Sequence, residues 1–450
     1  MFRKLNCPRR IVAPFCATLL AGCAQYAPLP LDSAPSLKRD VAALRAPVPP
    51  SSPLSVDQVV TLALENNPDL KTVRLKRAMA TAQTEQAGIL PNPSFSGSFL
   101  PLIAGPGSIP AWTVGLSQNI KAIITYRTRQ RAARDSEWQV DADTVWQEWQ
   151  IAGRARQLAT DLIMLDQSRP VYAAAYQLLG ERDAELEKAL LAHNTTLTIV
   201  APDRTALQSA RTGLDGIDQK ILATRHQLNA LLGLEPDARV PLAQAANLPA
   251  FDPALIRAGL PALASRRPDL LALRLGYASA DETVREAILA QFPDLVLGGS
   301  GSSDNTGVIN AGPNVTIGVP VFDRNQGNIA IANATRAQLH ADYTARLTAA
   351  TGEVGAMLSE IEQLTRQLEV ARRDLPPAQT AAQHAKAAFG ANNLDERGYV
   401  DLLDNLFAKQ EEVTNLELAL LDRQIAIQTL VGAGLPTADL PPEPSAEMAQ

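Results

Sequence analysis

Beyond position 23 this 450-residue chain has no cysteine, its three being Cys7, Cys16 and Cys23. A disulfide framework and a thiolate metal site are therefore excluded for almost the whole molecule. Histidine is nearly as scarce: His193, His226, His340 and His384 are the only four, and no two stand at metal-ligand spacing. Aromatic residues make up only 4%, which suits long helices better than a compact core. Long apolar runs are missing as well. The mean hydropathy is −0.05, and after residue 23 no segment approaches the ~20 apolar residues that a spanning helix needs. Any part that crosses a membrane must therefore be β-barrel, the other structure that satisfies its backbone within lipid. A surplus of base is lacking too, with 41 Lys and Arg against 47 Asp and Glu. That argues against nucleic acid as a partner, since binding rests on neutralising phosphate. No Gly-x-x-x-x-Gly-Lys-Ser/Thr loop and no Gly-x-Ser-x-Gly elbow occurs. The chain reads as no enzyme, with no metal site and no cofactor of its own.

What is present begins at the N-terminus. Arg3, Lys4, Arg9 and Arg10 precede an apolar run over residues 11–21, and Leu20-Ala21-Gly22-Cys23 closes it. A basic head, a short apolar core and a small-residue cleavage site make a secretory signal over residues 1–22. The Leu-Ala-Gly-Cys wording resembles a bacterial lipobox. That implies lipid (palmitate included) on the Cys23 thiol and cleavage before it, leaving residues 23–53 as a lipidated N-terminal segment. Cleavage there moves the formal charge from −6 to −10.

The rest is written twice. Asn67-Pro68-Asp69-Leu70 returns as Arg267-Pro268-Asp269-Leu270, and at the same offset of 200 Ala80 meets Ala280 and Pro93 meets Pro293. Thr113-Val114-Gly115-Leu116 pairs with Thr316-Ile317-Gly318-Val319, and Leu231-Leu232-Gly233 with Leu430-Val431-Gly432. An internal repeat of this kind decides the architecture. The units are placed at 54–251 and 252–436, with a C-terminal tail at 437–450. In each, a helix starts at the proline, and two short alternating segments follow before a long helical stretch. Strands are expected near 94–102, 112–120, 294–301 and 314–322, of a length that suits tilted membrane strands. Connecting loops are expected at 104–110 and 302–313, which are rich in Gly, Pro, Ser and Asn. Two soluble hairpins remain open as a reading of these segments taken singly. Arg169-Pro170 and Leu375-Pro376-Pro377 are expected to interrupt the long helices. On the returning helix Leu402, Leu406, Val413, Leu416, Leu420, Ile427 and Leu430 form a coiled-coil seam, broken only by Lys409 and Arg423.

Together, the lipobox, the duplicated unit and the strand pairs between long helices resemble the TolC-type outer-membrane efflux factor family, from Leu54 to about Pro436. The resemblance implies a mainly α fold with membrane β-strands, in which each chain gives four strands. A homotrimer closes a twelve-stranded outer-membrane β-barrel, continued by a periplasmic α-barrel of coiled-coil helices. The implied partners are a periplasmic adaptor (membrane-fusion protein), an inner-membrane pump of the resistance-nodulation-division type, and outer-membrane lipid. Arg397, Asp401 and Asp404 share one helix face and resemble the family's periplasmic gate, where rings of carboxylates favour cations. The ordinary alternative is a solvated face with one i, i+4 pair. In the first unit Val200-Ala201-Pro202-Asp203 keeps one acid at most, so the constriction should be three-fold. The junction Val319-Pro320-Val321-Phe322-Asp323-Arg324-Asn325-Gln326-Gly327-Asn328 reads as strand into helix, with Asp323 as cap and Gly327 allowing a tight turn. Its wording resembles the cobalt-zinc-cadmium and copper-silver branch. The implied function is an exit duct for heavy-metal cations. Open alternatives are a multidrug duct, a type I protein-secretion duct, and a structural periplasmic lipoprotein.

Overall fold

The computed structural model describes residues 26–46 and 53–436. Cys23, the signal over 1–22, and the tail at 437–450 lie outside the described residues. The chain divides into one unit ending at Leu37 and a second from Lys38 onward, and every element below belongs to the second.

The order is α1 (Val56–Asn66), α2 (Pro68–Ala87), β1 (Ser94–Leu100), β2 (Ala111–Asn119), α3 (Tyr126–Leu191) and α4 (Leu197–Leu232). The same succession then returns as α5 (Pro268–Leu289), β3 (Asp294–Ser303), β4 (Ile309–Gly318), α6 (Gln326–Gly390) and α7 (Glu396–Val431). Short helical turns at Lys121–Ile124, Pro253–Gly259 and Leu263–Arg266 join them.

Local chemistry sets these boundaries. Ser55 and Gln58 make a reciprocal capping box on α1 (2.9 and 3.3 Å). Asn67 caps α2 by accepting from the Asp69 and Leu70 amides, with Pro68 in the first turn, where its missing N–H costs nothing. In the second copy Arg267 stands where Asn67 did. It is fully buried, holds Asp269 through Nε and Nη2 (3.0 and 2.7 Å), and lies over the Trp146 ring. Both returning helices stop at a left-handed glycine, Gly233 and Gly432, each with φ 73°. That conformation costs any residue with a Cβ.

The long helices depart from expectation. α3 runs through Pro170 over 66 residues, and α6 runs through Pro376 and Pro377 over 65. At 1.5 Å per residue each is ~100 Å long. All three prolines are exposed, so the carbonyls they deprive of a donor face outward and can be solvated, while the buried side of each helix stays bonded. Proline here does not break the helix.

α3 packs on α4 and α6 on α7 as two antiparallel hairpins, with α5 lying against both α3 and α6. The largest core joins Val59 and Leu62 of α1, Ala155, Leu158 and Leu162 of α3, and Ile221, Leu228 and Leu232 of α4. All seven seam positions on α7 are buried or half-buried, and Arg423 within that seam pairs with Glu360 of α6 at 3.0 Å. A second face of α7, through Tyr399, Val400, Leu403 and Ile425, is buried as well, a stripe the single seam did not reveal. The indole N–H of buried Trp149 donates to the Pro436 carbonyl at 2.7 Å, tying the end of the second copy to the first.

The four strands form one antiparallel sheet in the order β1-β2-β3-β4. The last strand is displaced from its expected place near 314–322. It spans Ile309–Gly318, and the turn before it shrinks to residues 304–308. The cause is register: Ile309 to Asn314 pair with Ser303 to Gly298, so strand continues through a stretch whose Gly, Pro and Asn suggested loop. Pro313 is accommodated because β4 is an edge strand.

Candidate functional site

Two regions of the chain carry features that packing alone does not require. The first is the sheet. In an antiparallel pair, residues directly opposite each other lie on the same side. Phe95, Gly97 and Phe99 of β1 oppose Leu116, Val114 and Trp112 of β2; beyond them Leu297 opposes Val315 and Leu295 opposes Ile317. One side of the whole sheet is therefore apolar except for Gln118 and Ser303 near its ends. The other gathers Ser94, Ser96, Ser98, Ser117, Ser300, Ser302 and Asn314. Nothing among the described residues covers the apolar side: Phe95 is 75% exposed, Phe99 66% and Val315 56%. Both edges, β1 and β4, are open as well. A sheet with this pattern is unstable in water on two counts, exposed apolar area and unpaired edges. Among the described residues no helix is long and apolar enough to cross a membrane.

The second region is the tip of the two hairpins, which turn through matching left-handed residues, His193 (φ 58°) and Asn392 (φ 57°). Asp395 caps α7 by accepting from the Gly398 amide at 3.0 Å. The structure places Arg397, Asp401 and Asp404 on α7 just beyond. Arg397 Nε stands 3.9 Å from Asp401 Oδ2, and both side chains are exposed, at 77% and 68%. Partial burial and the carboxylates of Asp401 and Asp203 hold Asp404 above the usual carboxylate range. The first copy's single acid, Asp203, does not join this cluster at the surface. Its side chain is fully buried and bound to Arg182 Nε at 3.1 Å, and burial raises its pKa against the pull of that cation.

Arg182 is the residue that spacing in the sequence does not reveal. It is ion-paired to Asp203 on α4 and to Glu396 on α7. Its guanidinium also lies 4.4 Å from the Tyr399 ring centroid and 5.0 Å from that of Phe389, two rings stacked at 5.1 Å. One side chain thus joins both hairpins. A signal was available in the mismatch between copies. At an offset of 199, Arg182, Asp203, Phe389, Glu396 and Tyr399 fall against Ala381, Leu402, Leu190, Leu197 and Val200, so each hub residue has an apolar counterpart.

The junction after β4 differs from its expected form. Asn325, left-handed at φ 62°, is the residue that precedes α6, and it donates from Nδ2 to the Ala287 carbonyl at 2.8 Å. Asp323 caps this turn rather than the helix, accepting from the Asn325 amide at 2.8 Å. Gly327 is inside α6 with open space around it, so the tight geometry is carried by Asn325. Among the described residues no group of three or more His, Cys, Asp or Glu side chains could hold a metal ion.

Residues 260–433 match the family model described as outer membrane efflux protein. The cation efflux system protein CusC of Escherichia coli is 25% identical over 406 residues, covering 84% of this chain and 86% of that protein. The pyoverdine export outer membrane protein OpmQ of Pseudomonas aeruginosa is 26% identical over 471 residues, covering 93% and 95%. In fold, the CmeC outer membrane channel of Campylobacter jejuni superposes with a TM-score of 0.72 at 18% identity, over 93% of this chain and 96% of that one. A sheet with one bare apolar side and long paired helices agree with these likenesses: residues 260–433 match the outer membrane efflux protein model, and the chain shares the fold of outer-membrane channels.

Proposed function

We propose that this protein is the outer-membrane exit duct of a tripartite efflux system, anchored by lipid on Cys23 and carrying heavy-metal cations outward. The observation that carries this reading is the bare four-stranded sheet. With an apolar side, a hydroxyl-rich side and two open edges, it is complete only when closed with other copies inside a membrane. Four strands are too few to enclose a passage, whereas three copies supply twelve. The ~100 Å helices then continue the tube through the periplasm towards an adaptor and an inner-membrane pump of the resistance-nodulation-division type. Energy comes from that pump, because the chain has no phosphate-binding loop.

Arg397, Asp401 and Asp404 form the gate at the tube's inner end. Three copies set Asp401 and Asp404 in rings of carboxylate, which attract cations, and Arg397 ties the exposed face by charge. The name of CusC, a cation efflux protein, agrees with this cargo. With five Met and four His in the whole chain, the duct has no soft-ligand relay for metal, so selection of metal belongs to pump and adaptor. A second reading, a polar organic cargo, is favoured by the likeness to a pyoverdine exporter over 93% of the chain.

The test is conductance in a planar bilayer. Asp401→Ala with Asp404→Ala is expected to raise single-channel conductance and lower cation preference; no change in either removes both residues from the constriction. Growth of a deletion strain then separates the cargoes. Sensitivity confined to zinc, cobalt, cadmium or copper salts supports metal, and sensitivity to drugs and detergents supports organic cargo.

A further inference from the structure

The sheet carries a second message in its charges. Residues 94–119 contain no Asp, Glu, Lys, Arg or His, and residues 295–322 contain only Asp304. Asp304 sits in the β3–β4 turn, where its carboxylate accepts from the Thr306 amide (2.9 Å), the Thr306 hydroxyl (2.7 Å) and the Val308 amide (3.0 Å). At the opposite end, where the sheet meets the helices, Asp294 pairs with Lys121 at 3.0 Å. Between these ends the polar side presents serine hydroxyls, the Thr113 and Thr316 hydroxyls, and the Asn310 and Asn314 amides. Hydroxyls and amides both donate and accept, so they solvate an anion as readily as a cation. Charge selectivity in a pore needs fixed charge or a one-sided array of dipoles, and this wall has neither.

We propose that the barrel section of the duct is an uncharged, hydroxyl- and amide-lined passage that admits polar solutes of either sign, with discrimination by charge confined to the helical section. The proposal rests on the reading of the sheet as the wall of a pore, with its apolar side towards lipid. It names a cargo class for this section: hydrated cations, anions and neutral polar chelates pass on equal terms. Metal complexes of any net charge are included.

The scarcity of cysteine makes the test direct. Ser96→Cys and Ser300→Cys, which lie in one row across the sheet through Gly115, place a thiol on the polar side. Val315→Cys places one on the apolar side. Each full-length variant, in native outer membranes, is labelled with a cationic and an anionic methanethiosulfonate, with the parent chain as background. A charged wall would favour the reagent of opposite sign by ~10-fold or more, so at Ser96→Cys and Ser300→Cys the rate ratio is expected to stay within ~3-fold of that for a free thiol. Adding Ser300→Asp to Ser96→Cys is expected to tilt that ratio towards the cationic reagent. A cationic preference of ~10-fold without the added acid overturns the neutral passage while leaving the pore in place. Labelling at Val315→Cys alone, or at none of the three, sinks the pore reading itself.

Discussion

Replacing Arg182 by alanine would strip Asp203 of the cation bound to it while leaving that carboxylate buried, and would uncover the stacked Phe389 and Tyr399 rings. Breaking a buried pair from one side costs ~3–5 kcal/mol, so Arg182→Ala should lower the unfolding midpoint in denaturant. Arg182→Ala with Asp203→Leu should recover part of the loss, since Leu402 already fills the equivalent place in the other copy. No recovery would mean that Asp203 contributes little to the penalty. A second buried acid acts through pH. Asp161 of α3 is pushed up to about 7, first by burial, then by the charge of Asp422 on α7 and the hydrogen bond the two share. Gln157 steadies Asp422 at 2.9 Å. The folded chain holds this proton more tightly than the unfolded chain, whose ordinary value is 3.8. The group therefore lowers stability progressively as pH rises from 3.8 to about 7, and the loss is complete above that. Asp161→Asn should raise Tm at pH ~8 and leave it nearly unchanged at pH ~4. An equal shift at both would place the effect in packing rather than charge. The clusters at Arg182 and Asp161 were not legible from spacing, because Arg182 to Asp203 and Asp161 to Asp422 are contacts between helices. Arg397, Asp401 and Asp404 were legible because i, i+4 and i+7 fall on one face of a single helix.

The helices and strands were legible to different depths for physical reasons. The proline starts at Pro68 and Pro268 are local chemistry and fall where the sequence put them, and the repeat landmarks Gly233 and Gly432 prove to be helix stops. The interior prolines misled because their cost depends on which side of the helix they occupy. That side is set by packing. A helix interior ordinarily loses ~3 kcal/mol to a proline, but Pro376 and Pro377 are exposed. Pro376→Ala with Pro377→Ala should therefore leave helix content by circular dichroism unchanged and raise the unfolding midpoint. A lowered midpoint would show that the packing of α6 on α7 needs the two prolines. The fourth strand was misplaced for a related reason. Its first half, Ile309 to Pro313, has the composition of a loop and is held as strand by β3. The alternation within each strand was visible in advance, whereas its alignment across all four into one apolar side depended on register.

For the molecule as a whole, the sheet sets the terms of assembly. Val114 lies on the apolar side in the middle of the sheet, opposite Gly97 and Gly301. In the proposed barrel an arginine placed there would face lipid, at a cost of ~2–4 kcal/mol near the bilayer midplane. Val114→Arg should abolish heat-modifiable trimers in the outer-membrane fraction, while Ser300→Arg, on the polar side, should preserve them. Equal tolerance of both would mean that neither side meets lipid. The bond from Trp149 to Pro436 has a consequence in time. Its partners lie 287 positions apart, and the same indole fills the space beside Gly432 that any larger residue would need. A chain made from its N-terminus presents Trp149 long before Pro436 exists. Until then the Trp149 indole in the first copy lacks both its carbonyl acceptor and its neighbour at Gly432, so this closure of the two copies is among the last contacts that can form.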